Sequence, residues 1–213
     1  QELAVVHDAP WEGNGGNYHT VFEDDGIYRM YYHAWQVPID RQQTHPLYIG
    51  YLQSRDGIRW KKPNLGLVEV DGSSDNNILL ATINGQRCHD LSVFKDENPS
   101  ADAEARYKAV GRGFNPPGLY AFGSDDAINW QLLNDSQPVM TGHPFDTQNI
   151  AFWDETIGKY RAYIREFDNG RRDIMTATSD DFIHWTKRRW LEYPGAPQEH
   201  LYTNQIKPYY RAP

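Results

Sequence analysis

SRDGIRW (54–60), SDDAINW (124–130) and SDDFIHW (179–185) are three copies of one seven-residue pattern, Ser-x-Asp-x-x-x-Trp. A pattern that returns with three fixed positions, several tens of residues apart, indicates a repeated structural unit. In each copy the Asp is predicted to cap a turn by accepting backbone N–H bonds, and the Trp to pack between neighbouring units. We therefore interpret the three boxes as markers of the fold.

The repeat extends upstream of each box as three short apolar runs. The first runs are TVFED (20–24), SVFKD (92–96) and AFWD (151–154), and the second are YRMYY (28–32), YKAV (107–110) and YRAYI (160–164). The third runs, YIGYLQS, LYAFGS and IMTATS, lead into the boxes. Short runs rich in aromatic and β-branched residues and bounded by turn residues are typical of strands. Each unit thus predicts three strands, a boxed turn and a short outer strand.

A four-stranded unit of this kind has two faces to bury, and radial stacking of such units solves this in β-propellers. A sandwich explains the repeat less well, because sandwiches do not usually repeat a whole cassette with its turn. The prediction is an all-β propeller with blades over approximately 14–70, 76–135 and 136–192. EHLYTNQIKPYY (199–210) is predicted to begin a fourth blade near residue 197. Because propellers have four to eight blades, we expect a C-terminally truncated fragment.

The composition and charge of the chain disfavour some classes of ligand and partner. The chain has 213 residues, 14% aromatics and a net charge of −8. This charge argues against a nucleic-acid partner, which requires a basic surface. It favours a neutral ligand over a polyanion, unless local arginine clusters override the mean. No apolar run is long enough to span a membrane, and one cysteine, Cys88, allows no internal disulfide. Oligomeric state is not indicated.

The residues just before each first strand are predicted to line the mouth of the central channel. They are strongly polar although apolar strands follow them, which is costly unless they face water or a ligand. By unit they are Asn17, Tyr18 and His19; Arg87, His89 and Asp90; Asp146, Thr147, Gln148 and Asn149; and Glu199, His200, Tyr202 and Asn204.

Converging carboxyl groups suit cleavage of a glycosidic bond, which uses one carboxylic acid and one carboxylate. The predicted catalytic residues are Asp90, Asp146 and Glu199. Asp90 as a turn cap and Glu199 as an exposed loop charge are the structural alternatives. The predicted saccharide-binding residues are Asp8, Trp11, Asn17, His19, His89, Gln148, Asn149, His200 and Tyr202.

Trp11 is either a stacking platform for a sugar ring or a core residue. His19, His89 and His200 lack the tight spacing of a metal site, so no metal ligands are assigned. The stretch REFDNGRRD (165–173) either clamps an acidic sugar or is a solvated loop.

These residues resemble the five-bladed propeller glycoside hydrolases, the superfamily of invertases, levanases, arabinanases and β-xylosidases, over essentially the whole chain. SRDGIRWKKPN is similar to the end of their first blade, and HDLSVF (89–94) is similar to their Arg-Asp-Pro strand. The resemblance places Asp90 on the Asp that stabilises the transition state or sets a pKa. Where the family has its nucleophile this chain has Asn17, and where it has its acid this chain has Thr147, next to Asp146.

The resemblance implies a secreted or periplasmic glycosidase of polysaccharide breakdown, with a poly- or oligosaccharide substrate, no required cofactor and a structural Ca²⁺ near the axis. Two alternatives stay open. The departures at Asn17 and Thr147 motivate a non-catalytic carbohydrate-binding propeller. A protein-interaction propeller is the third hypothesis, which the polar residues at the channel mouth disfavour.

Overall fold

The computed structural model describes residues 3–37 and 46–209, and these form three four-stranded antiparallel sheets and one small hairpin. The first sheet is β1 (Asn17–Asp24), β2 (Ile27–Ala34), β3 (Tyr48–Ser54) and β4 (Ile78–Leu80). The hairpin is β5 (Thr82–Ile83) and β6 (Gln86–Arg87). The second sheet is β7 (His89–Lys95), β8 (Tyr107–Phe114), β9 (Pro117–Ser124) and β10 (Gln131–Leu132). The third is β11 (Ile150–Asp154), β12 (Lys159–Asp168), β13 (Arg171–Ser179) and β14 (Arg189–Trp190).

The helical structure in the described residues is limited to three short 3-10 turns, which are Pro10–Glu12, Ala103–Ala105 and Asn134–Ser136. No helix in this part of the chain has the length and apolar character needed to cross a bilayer. The all-β prediction and the four-strand cassette are confirmed.

The sheets are arranged as propeller blades. The first strands β1, β7 and β11 contact one another in turn, β1 with β7 and β7 with β11. An apolar cluster that includes Tyr31, Tyr51 and Phe122 lies between the first two blades. A second, which includes Ala121 and Ala162, lies between the second and third blades. Because each sheet buries a face against the next, the polar starts of the first strands converge at the axis.

The first blade departs from its predicted boundary. Its outer strand β4 begins at Ile78 and pairs with the start of β3, inside the range predicted for the second blade. Lys61 exchanges backbone hydrogen bonds with Gln53 of β3, and the chain then makes an excursion before it returns at β4. The outer edge of β3 is thus shared by two segments. The end of the first blade moves from about residue 70 to Leu80 because this excursion interrupts its outer strand.

The boxes have the predicted capping role. In the first box, Asp56 Oδ1 accepts hydrogen bonds from the backbone N–H groups of Ile58 (2.9 Å) and Arg59 (2.7 Å). These bonds lower the pKa of Asp56 to about 2. Asp126 and Asp181 accept the equivalent bonds in the other two boxes. The box tryptophans each pack on an apolar cluster on one face of a blade, and they are Trp60, Trp130 and Trp185.

The predicted first strand of a fourth blade is not formed. The segment after β14 contains no strand up to Tyr209, and Tyr210 lies outside the described residues. From Glu199 to Tyr209 its one long-range backbone bond among the described residues runs from Leu201 N to Arg172 O (2.9 Å). A strand requires a ladder of such bonds with a neighbour, and the described residues provide no partner strand for this segment. It nevertheless approaches the axis, since the Gln205 side chain donates to Gln148 Oε1.

Candidate active site

A bulge at the start of each of the first two inner strands positions the polar residues. The pairing of β1 with β2 shifts between Asn17 and Thr20, and that of β7 with β8 shifts between His89 and Ser92. Within these bulges Tyr18 and Asp90 occupy equivalent positions and have positive φ angles, 52° and 62°. Bulges redirect side chains, and backbone strain of this kind is found at functional sites. The fold therefore holds Asp90 in an uncommon conformation at the axis.

Asp90 is almost completely buried, with 1% of its surface exposed. Its Oδ2 is hydrogen-bonded to Nδ1 of His89, and its Oδ1 lies 3.7 Å from Nδ1 of His33 without a hydrogen bond. Burial raises the pKa of Asp90, and the His89 contact opposes part of this effect. Because a raised pKa favours the protonated form, Asp90 is suited to provide a proton.

Asp146 is the accessible carboxylate of the same region, with its side chain 49% exposed. Arg112 Nη1 lies 3.1 Å from Oδ1, and Arg165 Nη2 lies 2.7 Å from Oδ2. Arg165 Nε also donates to the backbone carbonyl of Asp146 (2.9 Å). The charges of Asp146 and Arg112 act on the pKa of Asp90 as smaller influences after burial and the His89 contact. Asp90 and Asp146 are therefore close enough to interact electrostatically.

Three residues of the second strands contact these two carboxyl groups. Each lies five residues after a tyrosine that pairs with the end of the first strand of its blade. The residues are His33 after Tyr28 in β2, Arg112 after Tyr107 in β8 and Arg165 after Tyr160 in β12. His33 and Arg112 were not considered as site residues from the sequence, and Arg165 was considered only as part of the stretch 165–173. Alignment of the second strands on these tyrosines would have found all three. We call the region formed by Tyr18, His33, His89, Asp90, Arg112, Asp146 and Arg165 the axial pocket.

The amide residues predicted to bind saccharide instead brace the axial pocket. Gln148 is fully buried and donates to Tyr18 O (3.2 Å) and Thr20 Oγ1 (3.1 Å), which joins the third blade to the first. Asn149 donates to Phe145 O and Thr147 O within its own loop. Asn17 accepts a hydrogen bond of 2.9 Å from His33 Nδ1. The other ring nitrogen of His33, Nε2, is buried and has no hydrogen-bond partner among the described residues.

Trp11, one of the predicted saccharide-binding residues, belongs to the core. It packs on the outer face of the first blade, and its Nε1 donates to Asn77 Oδ1 (2.8 Å). The structure therefore favours the core alternative over the stacking platform, because the partly buried ring packs on the protein. Asp8 is largely exposed and pairs with Lys62 at 2.7 Å. His19 Nε2 lies 3.1 Å from His7 Nε2.

Glu199 does not join Asp90 and Asp146, contrary to prediction. It is exposed and lines a separate cavity of about 510 Å³ beside the turn between β12 and β13. His200 lies at the same edge, where its Nδ1 accepts from Arg172 N (3.1 Å). The bond from Leu201 to Arg172 O holds this segment against β13 and directs Glu199 away from the axis.

Tyr202, in contrast, does reach the axial pocket. Its ring lies 5.5 Å from the Arg165 guanidinium and 5.3 Å from that of Arg172. It also contacts Tyr18, whose hydroxyl accepts a bond of 3.2 Å from Thr147 Oγ1. Burial is the main cause that raises the pKa of Tyr18.

His33, His89 and Asp90 offer ligand atoms that all lie within 4.8 Å of one another. Two imidazoles and one carboxylate suit a transition metal, whereas Ca²⁺ takes six to eight oxygen ligands. This donor set therefore does not fit the expected structural Ca²⁺. The histidines considered from sequence are not brought together, since His19 contacts His7 and His200 contacts Arg172.

Comparison with solved structures agrees with this architecture. A fructofuranosidase from Schwanniomyces occidentalis superposes with a TM-score of 0.61 at 16% identity, over 90% of this chain and 37% of that one. A β-1,2-mannobiose phosphorylase from Listeria innocua gives 0.59 at 16% identity, over 85% and 60%. A family 117 glycoside hydrolase from Zobellia galactanivorans gives 0.58 at 15% identity, over 86% and 58%.

The chain has the fold of the propeller glycoside hydrolases. It spans between 37% and 60% of the length of these three structures. No protein-family model matches the sequence, and no curated protein matches it. The comparisons therefore support the propeller prediction at the level of fold.

Proposed function

We propose that this chain carries part of the active site of an enzyme that cleaves glycosidic bonds in a poly- or oligosaccharide. The observation that supports the proposal best is the pairing of two unlike carboxyl groups at the axis. Asp90 is buried with a raised pKa, and Asp146 is accessible and held by two guanidinium groups. Glycoside cleavage uses this division between an acid and a carboxylate. Asp146 is the accessible member of the axial pocket, and the exposed ring of Tyr202 lies beside it.

In this proposal Asp90 donates the proton to the leaving glycosidic oxygen, with His89 orienting its carboxyl group. Asp146 acts on the anomeric carbon, directly or through a water molecule, and Arg112 and Arg165 fix its orientation. The bond between the anomeric carbon and the leaving oxygen breaks, and the proton from Asp90 completes the leaving hydroxyl. Asp146 or the activated water supplies the new bond to carbon.

The neighbours in structure include hydrolases and a phosphorylase, so the acceptor of the glycosyl group is water or phosphate within the same proposal. A secreted or periplasmic location, which only the family resemblance implies, is part of the same proposal. It would place the enzyme where polysaccharides are degraded.

A non-catalytic carbohydrate-binding propeller is the second candidate. Asn17 and Thr147 stand where the family has carboxylates, and both make protein contacts, Asn17 with His33 and Thr147 with Tyr18. In this candidate Asp146 is a structural ion-pair residue and Asp90 is a buried bulge residue.

The substitution Asp90→Asn separates the two candidates. It keeps the shape of the side chain and removes its acidity, so the enzyme is expected to lose at least about 100-fold in kcat while its thermal unfolding curve stays cooperative. Reducing-end release and saccharide binding are measured on the same glycan panel. If Asp90→Asn releases reducing ends as fast as the wild type does, Asp90 has no catalytic role. If the wild type binds a saccharide but releases no reducing ends, the non-catalytic candidate is supported.

A further inference from the structure

We propose that the axial pocket binds an anionic saccharide, and that Arg87, Arg112 and Arg165 recognise the carboxylate of a uronate residue. This inference rests on the proposed function for the identity of the site and adds the substrate class. It departs from the expectation of a neutral ligand that the net charge of −8 favoured.

The local charge at the axis is opposite to the net charge. Two further guanidinium groups lie near Arg112 and Arg165 of the axial pocket. Arg87 shares the Phe114 ring with Arg112, and Arg172 shares the Tyr202 ring with Arg165. Asp146 is the carboxylate that forms ion pairs with these arginines, and it pairs with both Arg112 and Arg165. Among the described residues neither Arg87 nor Arg172 forms an ion pair with a carboxylate. Clusters of one sign in a cleft concentrate ligands of the other sign, whatever the net charge of the chain.

Arg87 and Arg112 are arranged as a pair. Their guanidinium carbons lie 4.7 Å and 4.6 Å from the centre of the same ring, that of Phe114. Burial lowers the pKa of Arg112, and the charge of Arg87 acts in the same direction, against the effect of Asp146. Two like charges held on one aromatic ring repel each other. A bound carboxylate offsets that repulsion, because guanidinium groups bind planar carboxylates in a two-pronged geometry.

Arg165 provides the second, independent observation. Its side chain is 1% exposed, and although Nε and Nη2 are bound to Asp146, Nη1 has no hydrogen-bond partner. A buried guanidinium that keeps a free donor is costly unless a ligand supplies the acceptor. Tyr202 covers this guanidinium with its ring and is itself exposed. An aromatic ring beside a charged donor suits a sugar that carries an acidic group.

The test compares pairs of oligosaccharides that differ only in charge. Oligomers of galacturonate, glucuronate and mannuronate are each matched with the carboxyl-reduced neutral oligomer, and binding is measured by titration calorimetry at low and high salt. At least one uronate oligomer is expected to bind about 10- to 100-fold more tightly than its neutral match. Arg87→Gln and Arg112→Gln are expected to remove this preference, and Arg112→Lys to restore part of it. Arg55→Gln, an exposed arginine on the first box, is the matched control.

Equal binding of charged and neutral oligomers, or an unchanged preference in Arg87→Gln, overturns the proposal. Inorganic phosphate is tested in parallel, since it presents a similar oxyanion. If the protein consumes phosphate to form a glycosyl phosphate and shows no preference for uronate oligomers, the arginines bind phosphate. That result overturns the uronate assignment. Because calorimetry reports binding without turnover, uronate preference in the absence of any cleavage supports this inference while it contradicts the proposed enzymatic function.

Discussion

The carboxylate of Asp96, at the end of the first strand of the second blade, accepts a hydrogen bond of 2.6 Å from the hydroxyl of Tyr160 in the third blade. Asp24 and Tyr107 form the same contact between the first and second blades. Both carboxylates also pair with a lysine, Asp96 with Lys108 and Asp24 with Lys95. Neighbouring blades are thus joined by one repeated polar contact beside their apolar interfaces.

The substitution Tyr160→Phe is expected to destabilise the protein by about 1.5–3 kcal/mol, because it removes a hydrogen bond to a buried charged group. Urea unfolding measures the change. Tyr28→Phe is the matched control, since Tyr28 holds the equivalent position in the first blade and its hydroxyl has no hydrogen bond within the described residues. Equal losses in the two variants would show that the contact between blades is not what stabilises the protein.

The box aspartates should contribute to stability as turn caps. Asp126→Ala removes an acceptor for the backbone N–H groups of Ile128 and Asn129, so we expect a loss of about 1 kcal/mol. Asp126→Asn keeps an oxygen in the same place and should recover most of that loss. The midpoint of urea unfolding gives the comparison, with the adjacent exposed Asp125→Ala as the control. A loss in Asp125→Ala as large as in Asp126→Ala contradicts the capping role.

Stability should fall in acid because of Glu12. Burial alone would raise the pKa of this carboxyl, but hydrogen bonds from His7, Lys62 and Tyr32 lower it to about 2 from its ordinary 4.5. A pKa that is lower in the folded state stabilises the protein fully above 4.5, and the contribution is lost as the pH falls towards 2.

In full this contribution is about 3 kcal/mol, of which about 2 kcal/mol is lost between pH 6 and pH 3. Unfolding free energies measured at pH 6 and pH 3 should therefore differ more in the wild type than in Glu12→Gln, which cannot ionise at this position. An identical pH dependence in both proteins would contradict the assignment.

Asp146→Asn is expected to reduce kcat/KM on the cleaved saccharide by at least about 100-fold, since the amide cannot serve as nucleophile or base. Asp168→Asn, at a surface ion pair with Arg171, should leave activity unchanged. The two variants are compared on the same substrate with their folding checked by circular dichroism. Full activity in Asp146→Asn would exclude this residue from the chemistry.

The sequence by itself determined the cassette. The three boxes, the alternation of short apolar runs and their turn residues are local signals, and the first three strands of each blade form where these signals predict them. The outer strand of the first blade escaped prediction because its position depends on where a long excursion returns, which no local pattern encodes. Asp90 and Asp146 could be proposed from position alone, since the starts of the first strands must meet at the axis.

Only the tertiary structure decided what those residues meet. Arg112 and Arg165 lie in different blades and both reach Asp146 because equivalent positions of successive second strands point to one axis. Glu199 looked equivalent to Asp90, but a backbone bond from its neighbour Leu201 to Arg172 turns it outward. Strand formation follows from short-range patterns along the chain, whereas convergence at an axis depends on the stacking of whole sheets, so the charge around Asp90 could be known only from the assembled blades.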